Sequence, residues 1–556
     1  MPSVECALGH TWESLYGELL PVTELISIIE STNPSQLLKA FAIIGMKLAA
    51  SSGSDIKEQW KLATELFPAE IIADMKARSD EGAGIFDNYG LNVLSQMTLR
   101  YGRFEENAGK NIRAVEIAVL ILSINDVMRP AALKYETLYK CVALPKWEQE
   151  MLRYSIKRMV HATHENLFLE IARYHRLLND IPNRQPFPVA LGTSVDSFCR
   201  QHAGATVTEN FFGGMAVQTY FLHYLSKPDS NELRDPEVDM DKWLQNLKDR
   251  TIIYAFLDRA SKDRVSFTQL AIQSDPTENP YLWSHRCLRE YPFIHNGERK
   301  YMMLSRPCLL NKSMDGFYYD IANKLSGGQR NKFTAWLGDC FEVYVGELCE
   351  SVYVKACVRN PRHPADDSNQ LADVVIVQGD TWIVIECKWH FWSLPVWQCG
   401  ALQKSDWEQL VEKPFSQFAT HIEDLLKDKK LLAINGVPKR IIPLVVGIVA
   451  LTEMAPTHLL LKGEWEKVRA EWPVPVERPR QLQIQDLETV CEKPSLILPT
   501  LDLWREDALK AVDQASFGSA YNKLRTGDTP ATSYLEKAYF EAMGKVKEML
   551  KASINQ

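Results

Sequence analysis

The sequence predicts a multi-domain protein with a mainly α-helical N-terminal region, a small α+β middle module and an α/β domain built on a mixed sheet. The chain has 556 residues, which is enough for two to four domains with cores of their own. Long stretches rich in helix-forming residues dominate positions 1–235. Helical stretches alternate with apolar, β-branched runs between positions 321 and 460.

Composition places the chain among folded proteins. Hydrophobic residues make up 46% and charged residues 24%, and the net charge is -8. This charge argues against a globally basic nucleic-acid binder, although a local basic groove with bound cations suffices for backbone contact. No signal peptide is visible, and the apolar run 114–124 is too short to cross a bilayer. We therefore expect no membrane contact. Eleven scattered cysteines without a CxxC pair predict a reduced, cytoplasmic protein.

Residues 1–235 are predicted to form a helical regulatory or partner-binding region. The stretches IRAVEIAVLILSINDVM and KWEQEMLRYSIKRMVHATHENLFLEIARYHRLL are long and rich in good helix formers. The polar stretch 226–239 has the composition of a linker. We expect this region to contact protein partners or a second copy of the chain.

Residues 240–320 are predicted to form a small helix-plus-hairpin module. DRVSFTQLAIQ has the composition of a short helix. Asn296-Gly297 lies between two apolar runs, which is a strong hairpin signal. A helix followed by a hairpin is compatible with a winged-helix-like module.

Residues 321–460 are predicted to alternate between helix and strand around a mixed sheet. KFTAWLGDCFEVYVGELCES and DWEQLVEKPFSQFATHIEDLLKD are typical of helices, with a break or a new start expected at Pro414. LADVVIV, TWIVIECK and RIIPLVVGIVAL are typical of buried strands. Residues 461–556 follow as a C-terminal extension that is largely helical at its end.

The stretch LADVVIVQGDTWIVIECKWH predicts a hairpin that brings two acids together. Gly379-Asp380 suits a two-residue loop, because glycine supplies the positive φ that such turns need. In that register Asp373 lies opposite Glu386, with their Cβ atoms about 4.5–5.5 Å apart. Side chains alternate along a strand, so Lys388 shares a face with Glu386. Two carboxylates so close repel each other unless a cation or a proton lies between them.

This arrangement predicts a magnesium site. Mg²⁺ prefers oxygen ligands and keeps waters and substrate phosphates as the rest of its shell. Asp373 and Glu386 are the predicted ligands, and the backbone carbonyl of Cys387 is a candidate third ligand. Lys388 would orient a water or stabilise the transition state of phosphodiester hydrolysis. The alternative is an ordinary hairpin whose end carries solvated charges.

Asp373, followed on a second strand by Glu386-Cys387-Lys388, resembles the motif of the PD-(D/E)xK nuclease superfamily. The resemblance implies a restriction-endonuclease-like fold, a core in αβββαβ order and a cofactor of Mg²⁺, for which Mn²⁺ substitutes. It also implies an acidic residue from the preceding helix, for which Glu342 is the candidate. In RecB-like members a QxxxY motif lies on the following helix, where this chain has Gln417 but His421 in place of the tyrosine.

The resemblance therefore implies a metal-dependent nuclease that acts on nucleic acid, with DNA favoured by family analogy. Large helical appendages on such domains are similar to those of bacterial nucleases that defend against foreign DNA. The alternative function is that of a catalytically inactive nuclease-like fold that serves as a nucleic-acid-binding or assembly module. Loss of divalent-metal binding in Asp373→Ala would separate the two hypotheses.

Several other signals favour ordinary structural interpretations. The (D/E)xK triplet recurs at Glu298-Arg299-Lys300, outside any apolar strand end. LSGGQ at 325–329 matches the ABC-ATPase signature, but the chain has no phosphate-binding loop. Zinc binding at His161 and His164 and a thiol nucleophile at Cys387 near His390 are both disfavoured.

Aromatic and basic residues also surround the predicted site. Tryptophans stack on unpaired bases in some proteins, although core packing is their commoner use. Basic residues contact phosphates, although a solvated surface charge is the commoner role of each one. The tryptophans are residues 382, 389, 392, 397 and 407, and the basic residues are Lys355, Arg359, Arg362, Lys439 and Arg440.

Overall fold

A computed structural model places most of the chain. It describes residues 10–50, 56–78, 84–127 (without 87 and 105–108), 167–226, 237–448, 474–509, 517–525 and 532–555. Within 237–448 the short segments 248–249, 281–282, 364–365, 391–395, 397–401, 429–431 and 433–435 lie outside the description. The described chain is largely helical and contains two mixed sheets, of four and five strands.

The N-terminal region is helical as predicted. Helix α1 begins with a capping box, in which the Thr11 hydroxyl accepts a hydrogen bond from the backbone N–H of Ser14. The apolar faces of α1–α7 pack into a common core that contains Leu25, Phe41 and Leu94. His161 and His164, at which zinc binding was disfavoured, lie outside the described residues. The helices are α1 (Trp12–Tyr16), α2 (Val22–Ser31), α3 (Pro34–Ala50), α4 (Ile56–Leu66), α5 (Ala69–Arg78), α6 (Asn88–Tyr101), α7 (Ala114–Val127), α8 (Leu167–Arg173), a π-helical segment (Tyr174–Asp180), α9 (Ile181–Arg184), α10 (Val195–Ala203) and α11 (Val207–Ser226).

The middle region contains the predicted helix and hairpin. Gly297 adopts a φ of 86° at the tip, which is the backbone conformation that glycine tolerates without strain. The sheet has the order β1-β4-β3-β2, in which β3 pairs antiparallel with β4 and parallel with β2. Its elements are β1 (Glu237–Asp239), α12 (Met240–Trp243), α13 (Thr251–Ala260), β2 (Ser261–Asp263), α14 (Arg264–Ser274), α15 (Arg286–Glu290), β3 (Phe293–His295) and β4 (Lys300–Met303).

The second half of the chain builds the larger sheet, in the order β11-β10-β9-β8-β5. Strands β9, β10 and β11 run parallel, whereas β8 and β5 are antiparallel to their neighbours. The elements are α16 (Arg306–Ser313), α17 (Asp315–Lys324), α18 (Gly327–Tyr353), β5 (Cys357–Arg359), β6 (Arg362–His363), β7 (Asp366–Gln370), β8 (Val374–Gln378), β9 (Thr381–Lys388), α19 (Lys404–Trp407), a π-helical segment (Glu408–Glu412), α20 (Lys413–Leu425), β10 (Arg440–Gly447), β11 (Arg480–Gln483), α21 (Ile484–Cys491), α22 (Ile497–Leu509), α23 (Phe517–Leu524) and α24 (Ser533–Asn555).

The hairpin of β8 and β9 has the predicted turn and register. Gln378 pairs with Thr381 across a loop of two residues, Gly379-Asp380, and Gly379 has a φ of 61°. The ladder continues to the pair Val374 and Ile385. This register places the end of β9 next to the start of β8, which is where the predicted acids lie.

Helices cover both faces of the larger sheet. Residues Val374, Ile383 and Ile385 pack on the side of α18, in a core that also includes residues from the N-terminal and C-terminal helices. Their neighbours Val375 and Val384 pack on the opposite side, against α20. The alternation follows from the two-residue period of a strand. It explains why both strands are apolar throughout.

Several features differ from the sequence-based expectations. Strands β5 and β11 and the ribbon of β6 and β7 were not predicted, because they are short and β11 (RQLQ) is mostly polar. Within the LSGGQ segment, Ser326 is the N-cap of helix α18 and Gly327 is its first residue. Pro414, by contrast, lies at a new start as expected, because a π-helical segment passes into α20 there and the missing N–H of proline is tolerated.

A buried ion pair connects helix α18 to the N-terminal and C-terminal regions. The Arg173 guanidinium of α8 donates two hydrogen bonds to Glu488 of α21, at 2.7 and 3.0 Å. The Tyr344 hydroxyl of α18 donates a third to the same carboxylate, at 2.7 Å. Because all three side chains are buried, loss of one partner would leave an uncompensated polar group in the core. Among the helices of the described ranges, none is long and apolar enough to cross a membrane.

Candidate active site

Four titratable side chains converge at the end of β9. Glu386 and Lys388 lie on β9 itself, Asp373 directly precedes β8, and Glu342 lies in the middle of α18. The carboxyl groups of Asp373, Glu386 and Glu342 interact electrostatically with one another and with the Lys388 amine. The structure therefore brings together the two predicted acids, the predicted lysine and the predicted helix acid.

Asp373 is buried and held by two hydrogen-bond donors. The ladder between β8 and β9 ends at Val374, and the Asp373 N–H donates to the carbonyl of Ile385. The Asp373 carboxylate then accepts the backbone N–H of Cys387 at Oδ2, at 2.5 Å. The side-chain amide of Gln370 donates to Oδ1, also at 2.5 Å. Burial raises the pKa of Asp373, whereas the Cys387 N–H and the Lys388 charge oppose that increase.

Glu386 is 3% exposed, and its pKa is raised strongly. Burial is the main cause, and the charge of Asp373 adds to it, so that the pKa of Glu386 rises to about 8. The Lys388 amine opposes this rise from 3.3 Å away, where its Nζ donates to Glu386 Oε2. The ion pair of Glu386 and Lys388 is not a solvated surface salt bridge, because only 4% of the Glu386 side chain and 20% of the Lys388 side chain are exposed.

Glu342 reaches the site from helix α18. Burial, followed by the charges of Asp373 and Asp339, raises the pKa of Glu342 to about 7. Asp339 lies three residues earlier, which places it on the same side of the helix. The approach of α18 thus adds a third carboxyl group to the two that the hairpin supplies.

The cluster suits a divalent cation on chemical grounds. With all groups ionised, Asp373, Glu386 and Glu342 face a single ammonium, so two negative charges remain uncompensated in a buried place. Burial, followed by the charge of Asp373, raises the pKa of Glu386 to about 8 and that of Glu342 to about 7, so that without a cation these two groups hold protons more readily than ordinary glutamates. A hard cation such as Mg²⁺ would replace those protons.

The predicted metal ligands are fewer than those of a structural metal site. Among the described residues, no group of three or more histidine, cysteine, aspartate or glutamate side chains has the geometry to hold a metal ion. The predicted set has two side-chain ligands, Asp373 and Glu386, and the Cys387 carbonyl. Such a set leaves most of the shell to water and substrate, as Mg²⁺ sites usually do. The Cys387 thiol is buried and burial raises its pKa, which removes it as a thiolate ligand or nucleophile.

Of the two motif positions on helix α20, Gln417 and His421, only His421 interacts with a residue of the site. Gln417 lies half-buried on α20, and no hydrogen bond of the described side chains joins it to Asp373 or Glu386. His421, one turn later, contacts the backbone of Leu371 and interacts electrostatically with Asp373. Burial lowers the pKa of His421, which favours a neutral imidazole. A catalytic role for Gln417 stays a prediction.

The surrounding aromatic and basic residues mostly have structural partners. Trp382 and Trp407 are buried in the core, as expected for the commoner use of tryptophan, while Trp392 and Trp397 lie outside the described residues. Trp389 packs against Phe341 of α18. Three of the basic residues form ion pairs within the chain: Arg359 with Glu350, Lys439 with Asp380, and Arg440 with Glu477 and Asp502. The His390 imidazole pairs with the buried carboxyl group of Asp406.

Sequence reasoning missed two residues at this site. Gln370 lies at the end of β7, three positions before Asp373, and its type alone gives no reason to select it. Asp339 precedes Glu342 by one helical turn, and the spacing would have selected it once Glu342 was placed at the site. Comparison with known protein families, with curated proteins and with solved structures found no match for this chain.

Proposed function

We propose that this chain is a metal-dependent nuclease with a restriction-endonuclease-like core, and that it hydrolyses phosphodiester bonds of nucleic acid, with DNA as the first candidate. One observation carries the proposal: the carboxyl groups of buried Asp373 and Glu386 and of half-buried Glu342 interact with the Lys388 amine at one end of β9. A module that only binds nucleic acid gains nothing from buried, mutually repelling carboxylates.

In this proposal Asp373 and Glu386 hold Mg²⁺ or Mn²⁺, with the Cys387 carbonyl as a further ligand. When bound, the metal would polarise the phosphoryl group and make a water molecule more acidic. The Lys388 amine, 3.3 Å from Glu386 Oε2, orients that water and stabilises the extra negative charge as the phosphorus–oxygen bond breaks. Glu342 supplies a third carboxyl group, whose negative charge favours the binding of a cation.

The remaining regions would serve recognition. The helix-plus-hairpin module at 240–320 would act as a winged-helix-like domain, and the helical N-terminal region would bind a protein partner or a second copy. We propose further that the protein is cytoplasmic and takes part in defence against foreign DNA. The interaction of Arg173 and Glu488 with Tyr344 gives the N-terminal region a direct contact with the helix that carries Glu342.

The test is cleavage of supercoiled plasmid, linear duplex, single-stranded DNA and RNA, each with Mg²⁺ or with a chelator. We expect cleavage by the wild type only with metal. Lys388→Ala should lower the rate about 100- to 1,000-fold, the usual cost of removing one preorganised transition-state donor. Lys427→Ala is the matched control, because Lys427 is an exposed lysine of the same half of the chain that pairs with Asp424. Equal cleavage by the wild type and Lys388→Ala would contradict the mechanism.

If no substrate is cut, Mn²⁺ binding decides between the two hypotheses. If the wild type binds Mn²⁺ and Asp373→Ala does not, the result supports the proposed metal site. Absence of binding in the wild type would favour the alternative, an inactive nuclease-like fold that serves as a binding or assembly module.

A further inference from the structure

We infer that Gln370 is a positioning residue for the proposed metal ligand Asp373. The inference rests on the proposed function, because it assigns a role within the same site. It follows from the hydrogen bond that the Gln370 side-chain amide donates to Asp373 Oδ1, at 2.5 Å.

The two donors to Asp373 fix its carboxylate more firmly than either would alone. The Cys387 N–H binds Oδ2 and the Gln370 amide binds Oδ1, so that each oxygen is held by a separate group. A carboxylate held at one oxygen still turns about its Cβ–Cγ bond, whereas one held at both does not. Each oxygen keeps a second lone pair, which is available to a cation.

The backbone around Gln370 is itself held in place. The Leu371 N–H donates to the carbonyl of Pro361, and the Asn360 N–H donates to the carbonyl of Asp373. Gln370 also pairs with Arg362 in the ribbon of β6 and β7. These contacts fix the backbone between Gln370 and Asp373. The Gln370 amide therefore approaches Asp373 Oδ1 from a defined direction.

A neutral donor is the suitable type of side chain at this position. An amide N–H orients the Asp373 carboxylate without cancelling its charge, whereas lysine or arginine would compete with a divalent cation for it. Groups that orient metal ligands typically change metal affinity 10- to 100-fold when they are removed. The Gln370 amide has the contacts expected of such a group.

The test compares Mn²⁺ binding by calorimetry in the wild type, Gln370→Leu and Gln370→Met. Both substitutions keep an apolar stem of similar size and remove the donor. We expect each to weaken Mn²⁺ binding 10- to 100-fold, while the cleavage rate at saturating metal stays within about tenfold of the wild type. Gln378→Leu is the matched control at the far end of β8, and its Mn²⁺ affinity should be unchanged.

Two further measurements separate the possible failures. Thermal unfolding in chelator shows whether the variants fold, and Gln370→Met serves if Gln370→Leu does not. Wild-type affinity in a folded Gln370 variant would overturn this inference and leave the proposed nuclease site intact. Absence of Mn²⁺ binding in the wild type would overturn both this inference and the proposed metal site, and this outcome is measured on the wild type alone. A loss of saturated rate with unchanged metal affinity would also overturn the positioning role.

Discussion

Two hairpins of this protein carry the same acid–x–lysine triplet in different surroundings. In the β3–β4 hairpin the Lys300 amine lies 3.1 Å from Glu298 Oε2, and in the β8–β9 hairpin the Lys388 amine lies 3.3 Å from Glu386 Oε2. The side chain of Glu298 is 73% exposed, whereas that of Glu386 is 4% exposed. Residue types, spacing and ion-pair distance are nearly identical, so these features do not distinguish the two triplets.

The surroundings distinguish them. Water screens the exposed pair, which is therefore worth little. At the buried pair, desolvation and the charges of Asp373 and Glu342 raise the pKa of Glu386 to about 8. The proposed chemistry at this triplet would therefore depend on the additional acids and on the exclusion of water, and variants of the two triplets test that difference.

The largest expected difference is in catalysis. Glu386→Gln should lower the metal-dependent cleavage rate at least about 100-fold, because it removes a proposed metal ligand from the reacting groups. Glu298→Gln should leave the rate within twofold of the wild type. Both rates are measured on the same DNA substrate at saturating Mg²⁺. A comparable loss in Glu298→Gln would mean that the exposed hairpin also takes part in the reaction.

The next difference concerns stability against pH in the metal-free protein. The pKa of Glu386 is raised to about 8 in the folded state by burial, from the ordinary value of 4.5. Its contribution to stability is therefore fully present below about pH 4.5 and is lost as the pH rises through 8. One pKa unit corresponds to about 1.4 kcal/mol, so the total effect is on the order of a few kcal/mol.

Calorimetry in chelator between pH 5 and 9 measures this contribution. Glu386→Gln should lose less stability than the wild type as the pH rises, because glutamine does not ionise. Glu298→Gln should follow the wild-type curve throughout. Parallel curves for the wild type and Glu386→Gln would show that Glu386 is ionised across the whole range.

A smaller difference is expected in stabilisation by metal. A ligand at 100 times its Kd stabilises the folded state by about 2.7 kcal/mol, and a divalent cation should act in this way on the wild type. The measurement is the Tm with and without Mn²⁺ at pH 8, and Asp373→Asn should abolish the increase. An equal increase in Asp373→Asn would place the cation elsewhere in the protein.

The smallest expected effect is that of the exposed pair on stability. Lys300→Ala should leave the free energy of unfolding almost unchanged, because solvent screens the interaction of Lys300 with Glu298. The change should also shrink at high salt. A clear shift of the urea unfolding midpoint in Lys300→Ala would mean that Lys300 has a packing role beyond its ion pair.

The hairpins were predictable because their signals are local. Asn296-Gly297 and Gly379-Asp380 lie at the turns, and both glycines adopt positive φ values. The boundary of the larger sheet was not predictable in the same way. Strand β11 lies beyond the predicted limit at residue 460, and its pattern RQLQ becomes a strand only because β10 offers a free edge.

Sequence alone determined the register of β8 and β9, and with it the meeting of Asp373 with the end of β9, because a two-residue turn and an alternating pattern act over short distances. Tertiary structure decided which acid–x–lysine triplet is buried, and it brought Glu342 and the Gln370 amide to the site from other elements. Desolvation and electrostatic coupling depend on groups that are distant along the chain. Their effects on the pKa values of Glu342 and Glu386 therefore arise only when the helices close over the sheet.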